Sequence, residues 1–476
     1  MNTPARTRFA PSPTGALHCG VVRTALFAWL IAKQSGGQFL LRIEDTDQKR
    51  EVPGSVQIIK DTFHWLGLEW DEGPDVEGPY TPYIQSQRLD IYKKYVQELL
   101  DKGQAYADPY SIEELDELRK KAQAEKRPFL YRDHRPENPP KWDGTQAVRI
   151  KLEPKQWSWD DAVMGTITMG PEMIDDFIIM KADGFPTYNF CHIIDDHLMK
   201  ITHITRSQEF ISSVPKFLAA HEVLGWESPI NLILPQVMDE TGKRKLSKRY
   251  GAKPVLEYRD MGFLPEAMIN FMATIGWNDG TEQEIYSVDE LIQKFRIDRI
   301  QKSGGSFDEK RLLWMNGVYI RNLSLEDLFT RAKSFLPEEA NTYDDDYKKS
   351  VLQLAQERLK YFAELPELTM FFFKDLAVNP ALWQEHKQLK KLEQGDIKSL
   401  LEQSKDAIEA SDFSASDLTE RLNKLLETTE QKPAVLFSIV RIATTQAPAS
   451  PSLADTLHVL GKETSLRRIN AMLERL

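Results

Sequence analysis

Residues 7–43 read TRFAPSPTGALHCGVVRTALFAWLIAKQSGGQFLLRI. Thr7 to Ala10 has the look of a short strand, Pro11 to Gly15 is a Pro/Gly loop, and a helix follows to about Gln34, with Val22, Leu26, Trp29 and Leu30 at helical spacing. Gly36 and Gly37 end that helix, and Gln38 to Ile43 is the short, nearly continuous apolar run of a strand buried on both faces. The β-loop-α-β order predicts the opening of a parallel sheet.

Further along, Phe177 to Met180, the Asp183-Gly184 turn, Ile193-Ile194, Ile201 to Ile204 and Leu232 to Leu234 resume the alternation around a helix-like stretch, Ser212 to Leu224. What separates the two parts starts with SIEELDELRKKAQAEKR (111–127) and goes on with β-like stretches at Ala147 to Lys151 and Trp157 to Thr168, the pattern of an inserted domain. From about Met261 the spacing turns helical, with Leu264, Met268, Phe271, Met272 and Ile275 on one face and Ala355, Leu359 and Phe362 on another. The expected division is 1–107 and 184–243 for the two halves of the α/β domain, 108–183 for an inserted α/β domain, 244–324 for a following region, and 325–476 for all-α domains.

A chain of 476 residues exceeds what one hydrophobic core supports, which suits roughly three domains. No apolar run nears the ~20 residues of a membrane span, and the N-terminus lacks a charged leader with a long apolar stretch, so no membrane contact and a cytoplasmic location are expected. Two cysteines, Cys19 and Cys191, exclude a disulfide framework and an all-cysteine zinc site. The net charge of −11 opposes a generally basic coat for nucleic acid, although local patches decide such binding.

Two elements carry chemistry. In Arg8 to Gly15 and Leu17-His18-Cys19-Gly20, a Gly-containing loop meets a helix start, where outward N–H groups, the helix dipole and a histidine donor suit phosphate; plain turn chemistry is the competing reading. More than two hundred residues on, Lys243 to Gly251 packs cations into a Gly-bounded loop, suited to a clamp on a departing pyrophosphate, against the alternative of a solvated charged face.

Together, the Leu-His-Cys-Gly helix start and the Lys245-Leu246-Ser247-Lys248-Arg249 loop resemble the two signature motifs of class I aminoacyl-tRNA synthetases. RFAPSPTG (8–15), LRIEDTD (41–47), WLGLEWDEGP (65–74), DGFPTYNF (183–190), DDHLM (195–199) and FDEKRLLWMNGVYI (307–320) narrow the resemblance to the bacterial glutamyl-tRNA synthetases, strongly over two thirds of the chain. The glutamine-specific relatives resemble it less: they carry a loop more like PEPNG and a strand end more like DDTN.

The resemblance implies a Rossmann-type parallel sheet split by an insertion that binds the tRNA acceptor end, then a stem-contact region and all-α anticodon-binding domains. It implies that Arg8, Tyr188 and Arg206 hold the side-chain carboxylate of glutamate, Glu44 faces its α-amino group and Ser12 lies beside it. Ala10, His18, Gly20, Glu209 and Lys248 would meet Mg-ATP, with His18, Lys245 and Lys248 catalytic. For tRNA, Arg127 and Arg132 lie among the insertion's cations, interleaved with Phe129 and Tyr131 for stacking, and Arg358 falls where relatives read the anticodon. The implied partners are L-glutamate, ATP and tRNA(Glu), with tRNA(Gln) left open, and a monomer is expected. Val21, and Ser207-Gln208-Glu209 after Arg206, depart from the family pattern. Some relatives carry a zinc knuckle where this chain reads Tyr106-Ala107-Asp108-Pro109, which lacks a thiolate, so no structural zinc is expected. His192, Asp195, Asp196, His197 and His203 have the composition of a metal cluster, but the family has a structural loop there and no metal is expected. A catalytically silent tRNA-binding paralogue is the alternative of another class.

Overall fold

A computed structural model describes residues 4–246, 252–379, 381–447 and 449–476. The described residues form two compact units, 1–259 with 265–309 and 260–264 with 310–476. In chain order the elements up to residue 274 include β1 (Arg6–Phe9), α1 (Cys19–Gln34), β2 (Gln38–Leu41), α2 (Ser55–Leu66), α3 (Leu89–Asp101), β3 (Ala105–Ala107), α4 (Ile112–Ala124), β4 (Val148–Ile150), β5 (Trp157–Asp161), β6 (Gly165–Met169), β7 (Ile178–Met180), α5 (Tyr188–Leu198), β8 (His203–Ser207), α6 (Val214–Leu224), β9 (Ile230–Leu234), α7 (Val255–Asp260) and α8 (Pro265–Thr274).

β1 pairs parallel with β2 and β8 parallel with β9. The Thr202 N–H donates to the Arg6 carbonyl at 2.9 Å, which sets β8 beside β1 and gives the order β2-β1-β8-β9. Helix α1 packs on this sheet with one face and on α8 with another. Buried on both sides, it is apolar nearly all round, and Ala25, Leu26, Phe27, Ala28, Leu30, Ile31 and Ala32 are fully buried. The free edge of β9 is covered by the β5-β6 hairpin, whose Asp161 carboxylate accepts the Ile233 N–H, while Ala162 N–H donates to Asn231. Such covering removes an edge that would otherwise recruit another strand.

Three sequence expectations change. Phe177 to Met180 is a strand, but it pairs antiparallel with β4 in the insertion sheet β3-β4-β7 and not in the parallel sheet. A four-residue apolar run carries no information about its partner. Ile193-Ile194 lies in α5, where Phe190, Ile193 and Ile194 form a helical buried face; helix α5 also replaces the structural loop expected around Asp195. Leu359 and Phe362 are buried but not on the helix of Ala355, which ends at Gln356 because the chain turns there to let the Phe362 and Ala363 N–H groups donate to Gly262 and Met261. The secondary structure of the described residues of 310–476 is helical, and a core there includes Leu401, Leu436, Ile439 and Leu457.

Candidate active site

At the carboxyl ends of β1 and β8 opens a cleft of about 630 Å³, bounded by the loop 10–17, the start of α1, Tyr188 of α5 and the segment 235–237 after β9. Crevices in parallel α/β sheets form there because the strands end and the following helices begin with unpaired N–H groups. The loop is pinned from outside: the Glu44 N–H donates to Pro11 at 3.0 Å and the Val52 N–H to Pro13 at 2.9 Å. Gly15 turns it at φ +110°, a conformation that resists a side chain. His18 then caps α1 in extended backbone geometry, its carbonyl accepting from Val21 and Val22, so its side chain enters the cleft at the positive end of the helix. A Cβ on Gly20 would come within 3.2 Å of the His18 ring, so a residue without one is needed for the ring to stand as it does.

Beneath the amino-acid end lies a buried charge network. Arg8 donates to Asp196 through Nε at 3.0 Å and Nη2 at 3.3 Å. Arg42, fully buried in an otherwise apolar strand end, reaches Asp196 at 2.8 Å and Glu44 at 3.0 Å. Arg88 donates to Asp195 at 2.8 Å, and Tyr92 and Gln85 complete that carboxylate's shell. Three guanidinium groups and three carboxylates thus compensate one another. Arg206, only 6% exposed, stands apart: its polar partners are neutral, the Asn231 amide oxygen at 3.4 Å and the Tyr188 side chain, its Nε has no partner, and no carboxylate forms an ion pair with it among the described residues. Burial pulls the Arg206 pKa down, Tyr188 and Asp196 opposing this and Arg8 adding to it. Burial pushes the Glu44 carboxyl up, which the Arg42 and Arg8 charges partly offset.

The cleft brings together Arg8, Ala10, Ser12, His18, Gly20, Glu44, Tyr188, Arg206, Glu209 and Lys245. Lys245 and Glu209, expected at different parts of the nucleotide, form an ion pair with each other. Lys248 lies outside the described residues, but its flanks are described. On one side Lys245 bridges to Met238 and the Leu246 N–H donates to Val237; on the other Pro254 bridges to His18 and the Val255 N–H donates to Leu17. Val21 is half-buried and lines the same cleft.

The nucleic-acid candidates lie elsewhere. Arg127 is exposed and pairs with Glu125 at 2.6 Å; Arg132 donates to the carbonyls of Pro171 and Ile174. Tyr131 is not available for base stacking: it is 2% exposed, its hydroxyl donates to Asp108 at 2.5 Å, and Arg149 sits 3.5 Å over its ring. Arg358 is exposed in the second unit and lies within electrostatic reach of Arg441. The acids and histidines around α5 do not form a metal cluster among the described residues. Asp195 and Asp196 serve the arginines, His197 stacks on Trp226 at 3.8 Å, and His203 bonds Thr202.

Sequence reasoning missed Arg42, Asp196 and Asn231 as members of this site. Arg42 was findable, since an arginine inside an apolar strand run must meet buried acids. The roles of Asp196 and Asn231 depend on partners 188 and 25 residues away, respectively, and leave no local pattern.

Comparisons with known proteins agree in kind. Residues 4–314 match the family described as tRNA synthetases class I (E and Q), catalytic domain, and residues 327–473 an anticodon binding domain. The chain is 39% identical to a glutamate–tRNA ligase of Dehalococcoides mccartyi and 40% identical to one of Clostridium botulinum, over all of this chain and 98% and 99% of theirs. The crystal structure of a glutamate tRNA ligase from Elizabethkingia meningosepticum in complex with its amino acid superposes with a TM-score of 0.87 at 32% identity, covering 99% of this chain and all of that one.

Proposed function

The chain belongs to the glutamate–tRNA ligases of the class I synthetases, and from that premise we propose how its cleft selects glutamate, activates it with Mg-ATP and transfers it to tRNA. The observation that carries this reading is the charge balance beneath the cleft. With three arginines and three acids matched, Arg206 is left as one uncompensated buried cation, and one side-chain carboxylate completes it. Glutamine offers a neutral amide there and leaves the cation buried without a counter-charge.

In this reading Arg8, Tyr188 and Arg206 take the side-chain carboxylate, Ser12 lies alongside, and Glu44 accepts from the α-ammonium, which favours its ionised form. The α-carboxylate attacks the α-phosphorus of Mg-ATP; a new C(O)O–P bond forms and pyrophosphate leaves with the electron pair of the broken bond. His18, Lys248 and Lys245 meet the charge that builds on the phosphates, Lys245 exchanging Glu209 for phosphate, while Ala10, Gly20 and the freed Glu209 border the nucleoside. A ribose hydroxyl of the terminal adenosine then attacks the carbonyl and AMP departs. No covalent enzyme intermediate is needed; both cysteines are buried, and burial pushes the Cys19 thiol up to about 12.

The insertion's Arg127 and Arg132 would serve the acceptor end and Arg358 the anticodon, with 1–107, 108–183, 184–243, 244–324 and 325–476 as the working division. A structural zinc has no place in this account, because the Asp108 carboxylate is already engaged by Tyr131 and by Arg149 at 2.7 Å. A monomer acting on tRNA(Glu) in the cytoplasm completes the proposal. The test is charging in the presence of tRNA: Lys248→Ala is expected to slow adenylate formation by on the order of a hundredfold. Glutamate-dependent pyrophosphate exchange near the wild-type rate would refute the role of Lys248.

A further inference from the structure

One group in the amino-acid half of the site has no role in the scheme above. His192 is 1% exposed and does not line the cleft. Its ring nonetheless lies against Tyr188 at 4.8 Å with an interplanar angle of 4°, and its Nδ1–H donates to the Tyr188 carbonyl at 2.9 Å, one helical turn back. The same ring meets Phe217 of α6 edge-on at 4.5 Å, and Phe217 carries the Arg206 guanidinium over its face at 4.8 Å. Tyr188, His192, Phe217 and Arg206 therefore form one continuous packed series, whose two ends are both in the cleft and whose middle is buried. Rings held by stacking and by one directional hydrogen bond have few alternative positions.

We propose that His192 is a positioning residue for side-chain recognition: from under the cleft it fixes the plane of Tyr188 and, through Phe217, the heading of Arg206, so that both meet the distal carboxylate of the amino acid together. This rests on the reading of Tyr188 and Arg206 given above. Two further features agree with it. The Nδ1–H donation leaves Nε2 as the unprotonated nitrogen of a neutral ring. Burial, reinforced by Arg206, holds the His192 pKa well below the ordinary imidazole value. A neutral ring adds no second cation beside Arg206, so the pocket keeps room for one negative charge and not two.

The experiment is steady-state charging of tRNA with glutamate and with glutamine by the full-length enzyme, three single variants and one double variant, His192→Asn in the Tyr188→Ala background. His192→Asn keeps a donor near the Nδ1 position and removes the ring; His192→Phe keeps the ring and removes both nitrogens; Tyr188→Ala removes the partner. We expect His192→Asn to raise the KM for glutamate about tenfold and to lower the glutamate-over-glutamine ratio of kcat/KM, with kcat and the KM for ATP within about twofold of wild type. His192→Phe restores most of the KM, and in the Tyr188→Ala background His192→Asn adds little further loss. A KM for glutamate that stays within about twofold of wild type in His192→Asn overturns the proposal. So does an equal loss in the ATP parameters, or full additivity with Tyr188→Ala, each of which marks a packing residue. A wild-type enzyme that charges neither amino acid would instead strike at the functional reading and not at His192.

Discussion

Glu44 and Gly20 show how single positions set the chemistry. Glu44 is a carboxyl whose burial raises its pKa while Arg42 and Arg8 pull it back down, leaving it above the ordinary carboxylate value. An acid with a raised pKa stays neutral to higher pH, and a neutral carboxyl cannot compensate an ammonium. The KM for glutamate is therefore expected to rise as pH falls, and to begin rising at a higher pH than a solvent-exposed glutamate would dictate. Glu44→Gln should raise that KM throughout and abolish this limb; a pH profile unchanged by the substitution would contradict the assignment. At Gly20, Ala would press on His18 and displace its ring by a few tenths of an ångström. Gly20→Ala is expected to lower kcat about tenfold or more while leaving the KM for glutamate close to wild type, as measured by single-turnover adenylate formation.

Among the elements, the insertion shows what local pattern conveys and what it leaves out. Helix α4 was legible as a charged, helix-like run, and the structure adds a reciprocal capping box of Ser111 and Glu114 at its start. Strand β7 was legible as a strand but not in its partner, and Tyr131 looked like a stacking ring because nothing nearby in sequence announces that Asp108 and Arg149 enclose it. The same holds for the site: Arg8, His18, Glu44, Tyr188 and Arg206 came from motifs, whereas the acids that neutralise Arg8, Arg42 and Arg88 lie mainly on α5, where composition alone does not show which cations they meet. The Asp108, Tyr131 and Arg149 contacts hold β3 and β4 beside the chain at residue 131. Removing the carboxylate leaves Arg149 buried without its counter-charge, so Asp108→Ala should cost about 3 kcal/mol, read from denaturant unfolding. Elemental analysis of the purified wild-type protein should show less than one zinc per ten chains, on the order of background occupancy. Stoichiometric zinc, or a large loss of stability on chelation, would overturn the zinc-free account of this region.

For the molecule as a whole, the acidic sum of −11 and the binding of a polyanion are reconciled by where the cations are. Lys245 lines the cleft, while Arg358 and Arg441 lie within electrostatic reach of each other in the second unit. Beneath the amino-acid end of the cleft the opposite arrangement holds, a balanced buried network with a single surplus positive charge, and that surplus is the central claim. It is tested most directly by charging purified tRNA(Glu) with glutamate and glutamine using the wild-type enzyme and Arg206→Gln. The account predicts that the wild type charges glutamate alone at a useful rate, and that Arg206→Gln loses kcat/KM for glutamate by on the order of a hundredfold or more while its preference over glutamine collapses. An Arg206→Gln enzyme that keeps the wild-type kcat/KM for glutamate, with discrimination intact, would contradict it.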